Sequence, residues 1–383
     1  MRKVLMSILV AGCFVGSFAT DARVISMGKH DAFFLDEVSV FRNPANISIY
    51  PNMVYGSYGK LTVNDSASSI ENPFFGSIIS YSLNEETDAG GQYPMLSLGA
   101  VFNRYDEMLD YVTKGKADCI DSTLEKPVGK ADVILGYVLK NGVMLGIGGY
   151  VAIQSKETDL ELYETKIYKG NIGLNWPVAK TMDLEMSLSM GSMTATSANK
   201  EIASQDLFGR VEIRLFSALA GMNGDFVPRA RVDFLNLEKL NKLYVDVAAG
   251  LGINFNIDRG FFWTGLEFLY NQMDEDDEAE QDVGGKISFG IERNIIWDWF
   301  VIRVGGQKTL LVKTKGPSDR EWWENPASDE TDQDLVGLGF GFNFDNRLHI
   351  DFVVSEMFPF TLSNLFSGKQ DYIFSRVSAT YSF

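Results

Sequence analysis

The sequence predicts an all-β chain: a transmembrane antiparallel β-barrel of about 14–16 strands, with an N-terminal hatch segment inside the lumen. Three observations lead there. Apolar and polar residues alternate in many segments of about ten residues, the length a tilted strand needs to cross a bilayer. The face opposite the apolar one is rich in Gly, Ser and charge, as a barrel lumen is. Aromatic residues gather at segment ends, at Trp176, Phe261, Phe262, Trp263, Trp297, Trp299 and Phe300, where an interfacial girdle would lie.

The alternation is explicit. In MDLEMSLSM, Met182, Leu184, Met186, Leu188 and Met190 share one face, with Asp183, Glu185, Ser187 and Ser189 on the other. In VDVAAGLGINF, Val245, Val247, Ala249, Leu251, Ile253 and Phe255 oppose Asp246, Ala248, Gly250, Gly252 and Asn254. VGLGFGFNF sets Val336, Leu338, Phe340, Phe342 and Phe344 against Gly337, Gly339, Gly341 and Asn343. Successive strand side chains point to opposite faces, so each segment has one apolar face. A soluble β-sandwich also alternates, but its strands average about five or six residues. After the leader, no run reaches the roughly eighteen consecutive apolar residues of a helical span.

The chain has 383 residues and a net charge of −17. That acidic balance excludes tracking of nucleic acid, whose phosphates demand Lys and Arg. Residues 1–19 read as a signal peptide: Arg2 and Lys3 form a positive end, Val4 to Phe18 an apolar run, and Ser17-Phe18-Ala19 a cleavage site. Leu9 to Cys13 also fits a lipobox, which would acylate Cys13 instead. With the leader removed, Cys119 is the one cysteine left and forms no internal disulfide. Residues 20–50 are then the hatch and 51–383 the barrel.

Tight connections are expected at Asn141-Gly142, Asp258-Arg259-Gly260 and Asp345-Asn346, because Asn and Gly supply the positive φ of hairpin turns. Long polar ones are expected near 105–130, 155–165, 192–206, 272–283, 314–334 and 356–371. Short and long connections alternate, as periplasmic turns and outside loops do. The best strands number about sixteen, and an even count returns both termini to the periplasm. The last segment alternates through Tyr381 to a terminal Phe383, which resembles the signal that outer-membrane assembly machinery recognises.

A lipid-facing Lys or Arg costs roughly 2–4 kcal/mol at midplane. The charges in the best segments sit opposite the apolar face: Asp183, Glu185, Glu212, Arg214, Asp246, Glu267, Lys286, Glu292, Arg303, Arg347 and Asp351. Arg347, His349 and Asp351 stand at alternate positions of one strand, and with Glu292 and Arg303 they suggest a lumen charge network. Paired structural charges are the plainer reading than catalysis, since that strand has no nucleophile. No enzyme, cofactor or metal site is expected. The acidic run Met273 to Asp282 lacks the EF-hand glycine and reads as a solvated outside loop, with bridging to lipopolysaccharide through divalent ions left open. Trp322 and Trp323 suit either interface anchoring or contact with a ligand or partner.

Residues 22–50, ARVISMGKHDAFFLDEVSVFRNPANISIY, carry a resemblance. The segment is similar to the start of mature proteins in the FadL-like outer-membrane superfamily, which includes the PorV/PorQ-like branch. Ala22, Arg23, Met27, Gly28, Ala32, Phe33, Asp36, Asn43, Pro44 and Ala45 match the pattern. Lys29 and Asn46 stand where the family often has glycine. The resemblance implies an outer-membrane barrel plugged by an N-terminal hatch, in which Met27, Gly28, Asp36, Phe41, Asn43, Pro44 and Ala45 form the hatch motif. It implies two alternative functions: passage of hydrophobic small molecules, or binding of secreted cargo proteins in type IX secretion. A closed structural barrel is the third. Partners would be outer-membrane lipid and the assembly machinery. Within SVFRNPANIS, Pro44 suits irregular backbone shielded from lipid, with Asn43 capping a turn and Phe41 packing toward the lumen wall.

Overall fold

The structure, a computed structural model, describes residues 21–28, 31–59, 73–83, 95–106, 109, 127–157, 162–197, 199–237, 242–275, 278–295, 297–315, 335–345, 347–354 and 374–383. The expected leader with Cys13 lies outside them, as do Cys119 and the Trp322–Trp323 pair. Sixteen strands close into one antiparallel barrel in sequence order. They are β1 (Met53–Gly59), β2 (Phe74–Ser82), β3 (Met95–Phe102), β4 (Gly129–Val138), β5 (Met144–Glu157), β6 (Leu162–Ala179), β7 (Met182–Ser197), β8 (Lys200–Ala218), β9 (Gly224–Leu237), β10 (Lys242–Ile257), β11 (Gly260–Glu275), β12 (Glu278–Asn294), β13 (Phe300–Lys315), β14 (Leu335–Phe344), β15 (Leu348–Val354) and β16 (Phe374–Ser382). The sheet closes by pairing β1 with β16, from Met53 against Ser382 to Gly59 against Arg376. Closure pairs every strand on both sides and leaves no edge.

Alternation decides which side chain faces where. In β11, Leu266 is 59% exposed on the outside while its neighbour Glu267 is 1% exposed on the inside. The outer wall is aliphatic and aromatic, with Ile172, Met190, Leu251, Ile287, Phe289 and Leu338 all exposed. That is the surface a bilayer covers. Tight turns fall where they were expected, with positive φ at Gly142, Arg259 and Asp345. The connections expected over 155–165, 192–206 and 272–283 are instead largely strand: β5 runs to Glu157, β7 to Ser197 and β11 to Glu275. The ladder outlasts the apolar pattern because the outer face turns polar there, at Ser192, Thr194 and Thr196 of β7, while Met193 and Ala195 stay buried inside. Hydrogen bonding continues without an apolar outer face to mark it.

One expectation about the girdle needs correction. Phe261 and Trp263 point inward, and Trp263 is fully buried. The run Phe261-Phe262-Trp263 lies in a strand, so its members alternate faces and only Phe262 joins the outer wall, against Phe255. Trp176, Trp297 and Trp299 are exposed on the outside, the last two stacked at 5.1 Å.

Residues 21–28 and 31–50 lie inside the barrel. They comprise α1 (Asp21–Ser26) and two 3-10 helices, Glu37–Phe41 and Pro44–Ile49. Asp36 caps the first by accepting from the Val38 amide, and Asn43 caps the second by accepting from the Ala45 amide. Pro44 sits at the first helical position, where its missing N–H costs nothing.

The wall makes room for this segment with small residues in register. Ser97, Gly136, Gly146, Gly173 and Ser187 are successive cross-strand partners from β3 to β7. Gly252 pairs with Gly265, and Gly305 pairs with both Gly290 and Gly337. A Cβ on Gly146 would strike Pro44 and Ala45, one on Gly265 the ring of Phe33, and one on Gly305 the backbone at Met27. By contrast, outward-facing Gly170 has nothing within 4 Å of a built Cβ. Gly265→Val is therefore expected to unseat Phe33 and leave the N-terminal segment open to added protease, while Gly170→Val leaves its protection unchanged. Equal protection of the two variants would show that the shelf does not hold the segment.

Candidate functional site

The inner segment buries apolar side chains at two places. Val24, Met27, Ala32, Phe33 and Phe34 pack with Phe216, Val227 and Trp263 of the wall. Val40 and Ile47 pack with Met53, Ile78 and Ile134, with Phe41, Tyr50 and Tyr55 around them. Between the two clusters, backbone carbonyls must find donors, because irregular backbone inside a barrel has no ladder to join. Arg214 supplies several: its Nη1 donates to the carbonyls of Asp31 at 2.9 Å and Phe34 at 3.3 Å. Asn254 donates to the Phe33 carbonyl at 2.7 Å, and the Ala22 amide donates to Ser378 at 3.0 Å. Asn43 also donates outward, to the Leu174 carbonyl at 3.1 Å.

Buried charges complete the seat. Arg23 offers Nε and Nη2 side-on to Glu292 at 2.8 Å each, and Nη1 to Asp36 at 2.9 Å. Glu292 also accepts from Arg303, which pairs onward with Asp351. The line from Asp36 to Asp351 thus alternates in sign from the segment into the wall. A second group runs from Asp31 to Arg42, then Glu212, Arg229, Glu267 and Lys286. Arg214 pairs with Glu185 beside it, at 2.6 Å. A third joins Arg210, Asp233, Arg231 and Asp246. A fourth joins Arg104, Asp106, Asp132 and Lys169. Opposite charges taken out of water this way hold only as complete sets.

The residues singled out in the sequence divide accordingly. Glu185, Arg214, Asp246, Glu292, Arg303 and Asp351 are buried and ion-paired, and His349 is buried on the same inner face as Asp351. Asp183 is exposed near a strand end. Arg347 departs from the expected network. It is exposed in the turn before β15, its amide bonded to the Phe344 carbonyl at 3.0 Å. β15 begins only at Leu348, so strand parity counted back from Asp351 does not reach Arg347. Tyr381 and Phe383 are exposed, and the Phe383 amide closes onto the Asn52 carbonyl at 3.0 Å.

Sequence reading missed Arg42, Arg104, Asp106, Asp132, Lys169 and Arg229 as partners. The alternation of Lys169, Asn171, Gly173 and Asn175 against Tyr168, Ile172, Leu174 and Trp176 does put Lys169 on the inner face. Nothing in the chain says that Asp106, far away in sequence, would meet it.

Glu37 stands apart from these pairs. It accepts one hydrogen bond, from Thr380 at 3.1 Å, and its Oε1 has no hydrogen-bond partner. Burial pushes its carboxyl well above the usual range, the neighbouring Asp36 and Asp351 add to the rise, and Arg23 offsets only part of it.

No protein-family model matches the chain, and no curated protein sequence matches it. Solved structures do. CdiB from Escherichia coli is similar at 9% identity and a TM-score of 0.45, over 87% of this chain and 63% of that one. This chain therefore spans less than two thirds of the length of CdiB. A TodX monoaromatic hydrocarbon channel mutant is similar at 9% identity and a TM-score of 0.39, over 96% and 99%. The CymD monoaromatic hydrocarbon channel is similar at 13% identity and a TM-score of 0.38, over 94% and 96%.

Two outcomes test the seat. Arg23→Met leaves Glu292 and Asp36 without their shared cation, and breaking such a buried set costs about 3–5 kcal/mol; amide exchange of the inner segment should speed up while that of the strands does not. For Glu37 the sign follows from its raised value. The docked segment holds a proton that the released segment gives up above the ordinary glutamate range. Docking is therefore strongest in acid and weakens as pH rises. Glu37→Gln should flatten the pH dependence of segment protection, and an unchanged profile would assign that dependence to another group.

Proposed function

We propose that this protein is an outer-membrane channel of FadL-like type, closed at rest by its N-terminal segment, and that it passes hydrophobic small molecules. The observation that carries this reading is an apolar band on the inner wall. Ala152, Ile167 and Met193 are successive cross-strand partners on β5, β6 and β7, and Phe208 pairs with Leu235 on β8 and β9 beside them. All five are buried on the lumen side. A lumen that carries water and ions is lined by polar side chains; an apolar band favours solutes that leave water willingly.

The inner segment acts as the hatch. Every contact that holds it is non-covalent, so its seat is reversible. The short turns and both termini face the periplasm, and Phe383 serves the assembly machinery. The density of buried ion pairs favours a second reading, a sealed barrel with a structural role only.

The full-length protein and a variant lacking residues 21–50, both checked for folding by heat-modifiable mobility, separate the two. In liposomes the full-length protein should speed entry of a hydrophobic probe such as naphthalene over protein-free vesicles. The shortened variant should also conduct ions in planar bilayers. A folded, shortened barrel that passes neither would overturn the channel reading.

A further inference from the structure

The seam between β1 and β16 differs from every other in the barrel. Consecutive strands are tied by the connection between them, while β1 and β16 come from opposite ends of the chain and meet only by closure. Bringing such remote segments together carries the largest loop-closure cost. The ladder there is also short. Among the described residues β1 pairs with β16 over Met53–Gly59, while β10 and β11 run together from Lys242 to Ile257.

The inner segment touches both sides of this seam. On β16 three successive inward positions, Arg376, Ser378 and Thr380, are buried, and each bonds to it. Arg376 Nη1 pairs with Asp21 and also donates to Ser57 of β1 at 3.2 Å. Among the described residues Asp21 is the one carboxylate paired with Arg376. Ser378 accepts from the Ala22 amide at 3.0 Å, and Thr380 donates to Glu37 at 3.1 Å. Ala22 and Ile25 pack on Val353 of β15, next to β16. On the other side, Val40 and Ile47 pack with Met53 of β1. The ring of Phe41 lies 6.4 Å from that of Tyr55 of β1, with the Arg104 guanidinium 4.1 Å from its centroid. At the foot of the seam the Phe383 amide donates to the Asn52 carbonyl at 3.0 Å.

We propose that the inner segment is a strap across the closing seam, which grips β16 at Asp21, Ala22 and Glu37 and β1 at Val40, Phe41 and Ile47. The inference stands apart from the channel reading, because a strap works the same whether or not the lumen passes solute. The seam's own ladder joins backbone to backbone. The strap adds side chains of β16, bonded to a segment that runs straight on into β1. For β16 to part from β1, the ladder and these bonds must break together, or the segment must be pulled off Met53 and Tyr55. Parting also separates Arg376 from its carboxylate, and a buried charge that loses its partner is costly.

Amide exchange of the full chain in lipid bilayers tests the strap, with β7 as the internal reference. Thr380→Val removes one donor at nearly constant shape, and Asp21→Asn removes the charge that faces Arg376. Each should speed exchange of the β1 and β16 ladder amides roughly five- to tenfold, the worth of one buried hydrogen bond, while β7 keeps its native rate. Asn254→Ala is the control. It removes a wall donor to the same segment at Phe33, on β10, and should leave β16 unchanged. If Asp21→Asn fails to fold, comparison of Thr380→Val with Asn254→Ala decides alone. Native exchange at the seam in Thr380→Val, acceleration spread equally into β7, or the same seam effect from Asn254→Ala would overturn the strap. Conduction by the protein lacking residues 21–50 tests the channel reading separately.

Discussion

Irregular backbone can rest inside a barrel only where the wall supplies both room and hydrogen-bond donors. That constraint organises this molecule. The bilayer outside offers no partner to a backbone amide or carbonyl, so the sheet must close on itself. The lumen is then the one place at membrane depth where non-ladder backbone survives. Glycine and serine in cross-strand register provide the room. Arg214, Asn254 and Ser378 provide the hydrogen bonds. Each wall strand thus does two jobs, with an apolar outer face for lipid and an inner face shaped to one segment of its own chain.

Charge follows from the same constraint. A lone buried cation inside the barrel would be costly, so Arg23, Arg42, Arg104, Arg214 and Arg229 each meet at least one carboxylate. Side-on pairing recurs in Arg23 on Glu292, Arg104 on Asp132 and Arg210 on Asp233, because the planar guanidinium matches a carboxylate with two parallel bonds. This ties the inner segment to the wall at Arg23 through Glu292 and at Arg42 through Glu212.

Much of this was legible in the chain. Alternation brought the strand count to 14 or 16 and set the facing of Asp246, Glu267 and Gly337. Asn43 and Pro44 announced a capped turn. The legible part thinned wherever an apolar outer face was missing. Beyond Ser192 and Gln272 the strands continue with no apolar outer face to reveal them. At Arg347 the strand has not yet begun, so alternation does not set its side. Among the aromatics, Trp263 looked like an interface anchor because residue type alone does not tell lumen from lipid.

The sequence by itself determined the class of fold, the closed barrel, the two-faced strands and the irregular segment ahead of them. These follow from local period and composition, which every short window carries. Tertiary structure alone decided which carboxylate meets which arginine, which glycines form the shelf, and that Arg104 lies on Phe41. Those contacts join residues remote in sequence and depend on the shear of the closed sheet, which sets how far each strand slides against the next. Period tells a side chain which way to face, and only closure tells it what it faces.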